Sequence, residues 1–150
     1  MRCFGPNARA AAIEGSKVYA KDLMRRYRIP TARSRVFDDA DRALEYAAAG
    51  GPVVVKADGL ARGKGVVVAE DADQAVAAVA AIMKERIFGA SGDRVLIEKR
   101  LFDPEVSVLA FTDGRTIVLM VSSMDFSSGC SGEIRCTPTC FPEGRMLFGS

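Results

Sequence analysis

The run Lys56-Ala-Asp-Gly-Leu-Ala-Arg-Gly-Lys-Gly65 concentrates more potential chemistry than any other stretch of the chain. Gly59, Gly63 and Gly65 free the backbone to fold tightly and to aim N–H groups at an anion. Lys56, Arg62 and Lys64 add cations to the same loop. A flexible loop with cations between two strands is what a nucleotide polyphosphate needs. The loop is not a Walker A sequence and not a dinucleotide fingerprint, and strand–loop–strand is the wrong setting for both. A plain glycine-rich hairpin with solvated lysines has the same composition. Two further stretches could serve the same ligand. Leu96 to Glu105 is an apolar strand running into alternating charge. Such a strand end offers backbone groups to an adenine edge and a carboxylate to ribose hydroxyls, although a charged strand terminus at the surface reads the same way. Glu14-Gly-Ser-Lys17 opens a helix beside a lysine, a setting that attracts phosphate and that also fits an ordinary cap.

These residues need elements to position them. Residues 14–28 read as a helix with Ser16 as N-cap and Tyr19, Leu23, Met24 and Tyr27 along one face, closed by Ile29-Pro30. A short strand is expected around 33–37 and a helix over 39–49, closed by Gly50-Gly51. The β-branched run 52–57 and the run 65–69 predict two strands flanking the glycine loop. An alanine-rich helix follows from Asp71 to about Arg86, then strands over 94–101 and 105–112. Asp113-Gly114 is a hairpin signal and 116–124 its return strand. From Phe126 to Ser150 the pattern dissolves into Ser, Gly, Cys and Pro, and no element is expected.

Composition narrows the options. The 150 residues are 49% hydrophobic and 27% charged, the balance of a soluble globular protein. No apolar run is long enough for a membrane span, and the first residues do not read as a secretory signal. The 21 Lys and Arg exceed the 19 Asp and Glu by two and are interspersed, which argues against a nucleic-acid partner held by bulk charge. The absence of histidine removes histidine triads, histidine bases and histidine metal ligands. Cys3, Cys130, Cys136 and Cys140 form no CxxC pair and are expected as reduced thiols in a cytoplasmic protein. No metal site and no catalytic side chain is assigned from the residues.

Taken in order, Glu-Gly-Ser-Lys, Ile-Pro-Thr-Ala (29–32), the Val54–Val66 run, Phe88-Gly89, Glu98 with Leu101, and Glu105-Val-Ser resemble phosphoribosylamine–glycine ligase, also called glycinamide ribonucleotide synthetase, an ATP-grasp enzyme family of purine synthesis. The resemblance spans about residues 4–125. It implies an α+β fold, a piece of the ATP-grasp fold: an antiparallel sheet with helices, the ATP lid and flanking core elements. Residues 1–50 would be the helical part of the core, 51–98 the lid, 99–125 core strands and hairpin, and 126–150 an unassigned tail. Lys17 and Lys56 would contact the phosphates, and Gly59, Gly63, Lys64 and Gly65 would belong to a mobile loop above them. Glu98, Lys99, Arg100 and Leu101 would hold adenine, and Glu105 the ribose. The implied reaction uses ATP with Mg2+ to make glycyl phosphate, which the amine of 5-phosphoribosylamine attacks.

The resemblance has departures. Lys99 stands where the family commonly has a second glutamate, and Asp103-Pro104 precedes Glu105 in place of a Gly-Glu pair. Met124-Asp125-Phe126-Ser127 aligns with a Gln-Asp-His-Lys run, and the glycine-rich segment that follows it in the family is not recognisable in 128–150. The family's Mg2+ ligands lie further on and are missing. The expectation is therefore a partial chain, whose tail could reflect truncation or a frame shift. The alternatives are a non-catalytic nucleotide-binding module or an inactive truncated product.

Overall fold

The computed structural model describes residues 5–102 and 106–124. These fall into two units, one ending at Phe102 and one beginning at Asp103.

The first unit opens with two helices, α1 (Ala8–Gly15) and α2 (Lys17–Arg26), separated by Ser16 in extended conformation. Asn7 caps α1 by accepting from the Ala10 N–H, and the Ser16 hydroxyl accepts from the Tyr19 N–H at 3.1 Å. The expected cap on Ser16 is therefore present, and α1 is an element the sequence reading did not anticipate. The expected apolar face is not the buried one. Val18 and Lys21 are buried, whereas Tyr19 and Tyr27 are exposed. Helix α2 ends before Pro30 is reached. The Arg28 N–H bonds to the Arg25 carbonyl and the Ile29 N–H to the Met24 carbonyl, with Arg28 left-handed at φ 56°. This is the Schellman arrangement, here closed by an arginine in place of glycine.

A four-stranded antiparallel sheet follows, built from β1 (Ser34–Phe37), β2 (Val53–Ala57), β3 (Val66–Ala69) and β4 (Val95–Lys99) in the order β1-β4-β2-β3. Helix α3 (Ala40–Ala48) starts at Asp39, whose carboxylate accepts from the Arg42 N–H. Helix α4 (Ala72–Val79) starts at Asp71 in the same manner. It continues as a wider π turn through Lys84.

Strand parity assigns the two faces of the sheet. Val55, Ala57, Ala69, Val95 and Ile97 share one core with Ala43 and Ala47 of α3, Ala75, Ala78 and Val79 of α4, and Ile82. Small residues on the helices let them approach the β-branched sheet closely. The opposite face carries Lys56, Leu96 and Glu98, together with Val36, Val66 and Val68, which are exposed.

The described part of the second unit, residues 106–124, is a hairpin. Strands β6 (Ala110–Thr112) and β7 (Ile117–Leu119) pair across Asp113-Gly114, and β5 (Val106–Ser107) pairs with β8 (Ser123–Met124). The Asp113 carboxylate accepts from the Arg115 and Thr116 N–H groups, and Gly114 takes a φ of 89°. Residues 108–109 on one side face 120–122 on the other, so the return strand carries one extra residue. That bulge divides each expected strand into two short ones.

Candidate functional site

The N-terminus of α2, the glycine loop and the end of β4 meet on the face of the sheet opposite α3 and α4. Asp58, the first residue after β2, is the joint. Its Oδ1 accepts from the Ser16 hydroxyl at 2.8 Å and from the Val18 N–H at 2.9 Å. Its Oδ2 pairs with the Arg94 guanidinium. Its backbone carbonyl accepts from the Lys17 N–H, and its own N–H bonds to the Arg94 carbonyl. Burial by itself would raise the Asp58 pKa. The bonds from Val18 and Ser16 and the charge of Arg94 outweigh it and hold the carboxyl below its ordinary value. At the helix start the Val18 N–H is thus engaged by an internal carboxylate, as the dipole favours, while the Lys17 N–H goes to a carbonyl and the Tyr19 N–H to the Ser16 hydroxyl.

Lys17 Nζ donates to the Gly59 carbonyl at 2.7 Å. Burial lowers the Lys17 pKa, Asp58 opposes that, and the nearby Lys56 adds to it. Lys17 and Lys56 therefore feel each other as neighbouring charges. Gly59 is packed tightly, since a Cβ there would lie 2.2 Å from Ser91 Oγ. Gly65 is packed against Ala61 and Ala57, and its carbonyl accepts from the Ala57 N–H. Both ends of the glycine loop are pinned. Between them Ala61–Gly63 forms one 3-10 turn, Gly63 has a φ of 76°, and Lys64 is exposed.

On β4 the Glu98 side chain is 7% exposed and lies between two ammonium groups. Lys56 Nζ is 2.8 Å from Oε2 and Lys21 Nζ is 3.0 Å from Oε1. Each carboxylate oxygen thus faces one ammonium group. Lys21 itself is held by the Thr31 hydroxyl and the Ala32 carbonyl. The Lys99 side chain is exposed, and its N–H donates to the Arg33 carbonyl. Arg100 pairs with Glu70 at 2.5 Å and stacks over Phe102, and Leu101 is exposed. Glu105 and the side chain of Arg62 lie outside the described residues.

The structure thus brings Lys17 to Gly59 and Lys56 to Glu98. It adds Lys21, Asp58, Ser16 and Arg94, to which sequence reasoning gave no role in a site. Lys21 follows Lys17 by four residues on one helix face, a spacing that could have pointed to it. Around the end of the sheet, a groove of about 990 Å³ runs past Lys21, Arg28, Arg33, Arg35, Tyr46 and Lys99. Among the described residues no group of three or more His, Cys, Asp or Glu side chains could hold a metal ion.

Comparison with known proteins gives this arrangement its relatives. Residues 15–134 match the family described as phosphoribosylglycinamide synthetase, ATP-grasp (A) domain. The phosphoribosylamine–glycine ligase of Halalkalibacterium halodurans is 47% identical over 134 residues, covering 89% of this chain and 31% of that protein. The enzyme of the same name from Caldanaerobacter subterraneus is 45% identical over 127 residues, covering 84% of this chain and 30% of that protein. This chain therefore spans about a third of the length of these relatives. The crystal structure of phosphoribosylamine–glycine ligase from Thermotoga maritima superimposes with a TM-score of 0.70 at 37% identity, over 79% of this chain and 31% of that one. D-alanyl-alanine synthetase A from Vibrio cholerae shares the fold alone, with a TM-score of 0.62 at 22% identity over 81% of this chain and 36% of that one. With the α+β architecture, the antiparallel four-stranded sheet and a family match over most of its length, the chain belongs to the phosphoribosylglycinamide synthetase ATP-grasp (A) domain family.

Proposed function

We propose that this chain is the ATP-binding segment of a phosphoribosylamine–glycine ligase. In the reaction proposed for the whole enzyme, a glycine carboxylate oxygen attacks the γ-phosphorus of ATP and ADP leaves. The amine of 5-phosphoribosylamine then attacks the glycyl phosphate, expelling phosphate and forming the amide. This chain's part is to bind and orient the nucleotide, in a cytoplasmic enzyme. Lys17 and Lys56 neutralise phosphate charge, and the turn over 60–64, with Lys64, closes above the phosphates. Positioning and charge stabilisation are the protein's main contributions to such a transfer.

The observation that carries the reading is the meeting of Lys17, the glycine loop and Lys56 on one face of the sheet, with Lys17 Nζ on the Gly59 carbonyl and Lys56 Nζ paired with Glu98 at the end of β4. Backbone groups of the residues that follow Glu98 would read the base edge. Magnesium would supply further charge neutralisation at the phosphates, and among the described residues no group of carboxylates fits it as a ligand set.

Isothermal titration with ATP, with and without Mg2+, beside Lys56→Ala tests the reading. Saturable binding that the substitution weakens about tenfold or more is expected, on the scale of one charge contact in a partly buried site. A folded chain that binds no ATP overturns it.

A further inference from the structure

Resting on the nucleotide-binding reading, we propose that Lys21 is a positioning residue for Lys56, acting through Glu98 to keep the phosphate-facing cation available. The three groups form a chain of charge across α2, β4 and β2. Lys21 is the anchored end. Its side chain is 10% exposed, and the Thr31 hydroxyl and the Ala32 carbonyl fix its ammonium beside Glu98 Oε1. Lys56 is the free end. Its side chain is 27% exposed, and Glu98 Oε2 is its one ion-pair partner among the described residues.

A carboxylate with 7% exposure between two cations divides its charge between them. The cluster carries a net positive charge, and Lys56, the more exposed of the two ammonium groups, is the one that can present N–H donors to a ligand. Without Lys21, Glu98 would have one counter-ion. Both its oxygens would turn to Lys56, because a buried carboxylate left half-compensated is costly. The cluster would become neutral, and Lys56 would be drawn down onto Glu98. The remaining charges near this group are Lys17 on α2, with Asp58 and Arg94 beside it, and none of them reaches Glu98 within ion-pair distance.

The consequence is charge-selective. Lys21→Met in the full chain should weaken ATP binding about tenfold, ADP less, and adenosine not measurably, since the loss is that of one charge acting on phosphate. Lys21→Arg should restore most of the affinity, and Thr31→Val, which removes one anchor, should give a smaller effect in the same direction. A purely structural role would weaken all three ligands alike. A second readout needs no nucleotide. The rate of reductive methylation at Lys56, followed by mass spectrometry, should fall several-fold in Lys21→Met, because an amine held down by both oxygens of a buried carboxylate is less accessible to the reagent. Circular dichroism confirms that the variants are folded, and Thr31→Val replaces Lys21→Met if the latter is not.

Charge-graded loss together with slowed labelling supports the inference. Uniform loss across the three ligands, or an unchanged Lys56 labelling rate, overturns it. If the wild-type chain binds no ATP, the proposed function falls, and the labelling rate alone decides whether Lys21 governs Lys56.

Discussion

Asp58 is the residue on which the site's geometry turns. It ties the start of α2 to the end of β2 through Ser16, Val18 and Arg94, and so places Lys17 against Gly59. Replacing it with asparagine leaves Arg94 without its partner and the Val18 N–H with a weaker acceptor. A loss of about 2 kcal/mol in unfolding free energy is expected, on the scale of a charged hydrogen-bond cluster at the edge of a core. The acid dependence has a definite sign. A folded-state pKa held below the ordinary carboxylate value means that the unfolded chain binds more protons in this range. Stability from Asp58 is complete above the unfolded pKa and is lost as pH falls through the lower folded value. Urea titrations from pH 6 downward should show the wild-type chain losing stability below about pH 4, and Asp58→Asn losing less over the same interval. Equal slopes in the two proteins would rule this out. The same residue marks the limit of sequence reading. Lys17 and Lys56 stand out beside glycines and a helix start. Asp58 was visible inside the glycine run but unassigned, because its partners lie 36 to 42 positions away in the chain. Lys21 was hidden by an apparent Tyr19–Leu23–Tyr27 stripe that does not face the core.

At the scale of elements, the strands flanking the loop were legible because β-branched runs ending at glycines leave few alternatives. The helix starts at Ser16, Asp39 and Asp71 were legible from their capping side chains. What stayed hidden depends on neighbours distant in sequence: the π turn ending α4, the left-handed Arg28, and the bulge in the second unit. The glycine loop shows both cases. Its glycines were expected to supply freedom, yet Gly59 is glycine because Ser91 fills the space a side chain would need. A Cβ at Gly59 would lie 2.2 Å from Ser91 Oγ and 3.1 Å from Ser91 Cα. Gly59→Ala should therefore cost about 1–3 kcal/mol, as overpacking does, and also pull the Gly59 carbonyl from Lys17. The double variant Gly59→Ala/Ser91→Gly should recover part of the loss in a thermal melt. A single variant as stable as wild type would mean that this contact is not tight in solution.

At the scale of the whole chain, the buried residues decide where stability resides. Every buried hydrophobic side chain among the described residues lies between Val18 and Ile97, in the first unit. The second unit's apolar side chains, Val106, Val108, Phe111, Ile117, Val118 and Leu119 among them, are exposed. A two-stranded ribbon without a covered face is marginal in water, whereas a sheet with helices packed on one face has the core that folding requires. Hydrophobic burial, the main stabilising contribution, thus belongs to the first unit. A chain ending at Phe102 should accordingly unfold in one cooperative transition, with a midpoint within a few degrees of the full chain's under the same conditions. Residues 106–124 alone should show no cooperative melt in calorimetry. The exposed valines on the open sheet face, Val36, Val66 and Val68, remain in both the full and the shortened chain. Self-association through that face would therefore persist after the cut, and sedimentation at several concentrations distinguishes it from a change in folding. A shortened chain that melts without cooperativity, while staying monomeric, would show that the second unit contributes to the fold of the first.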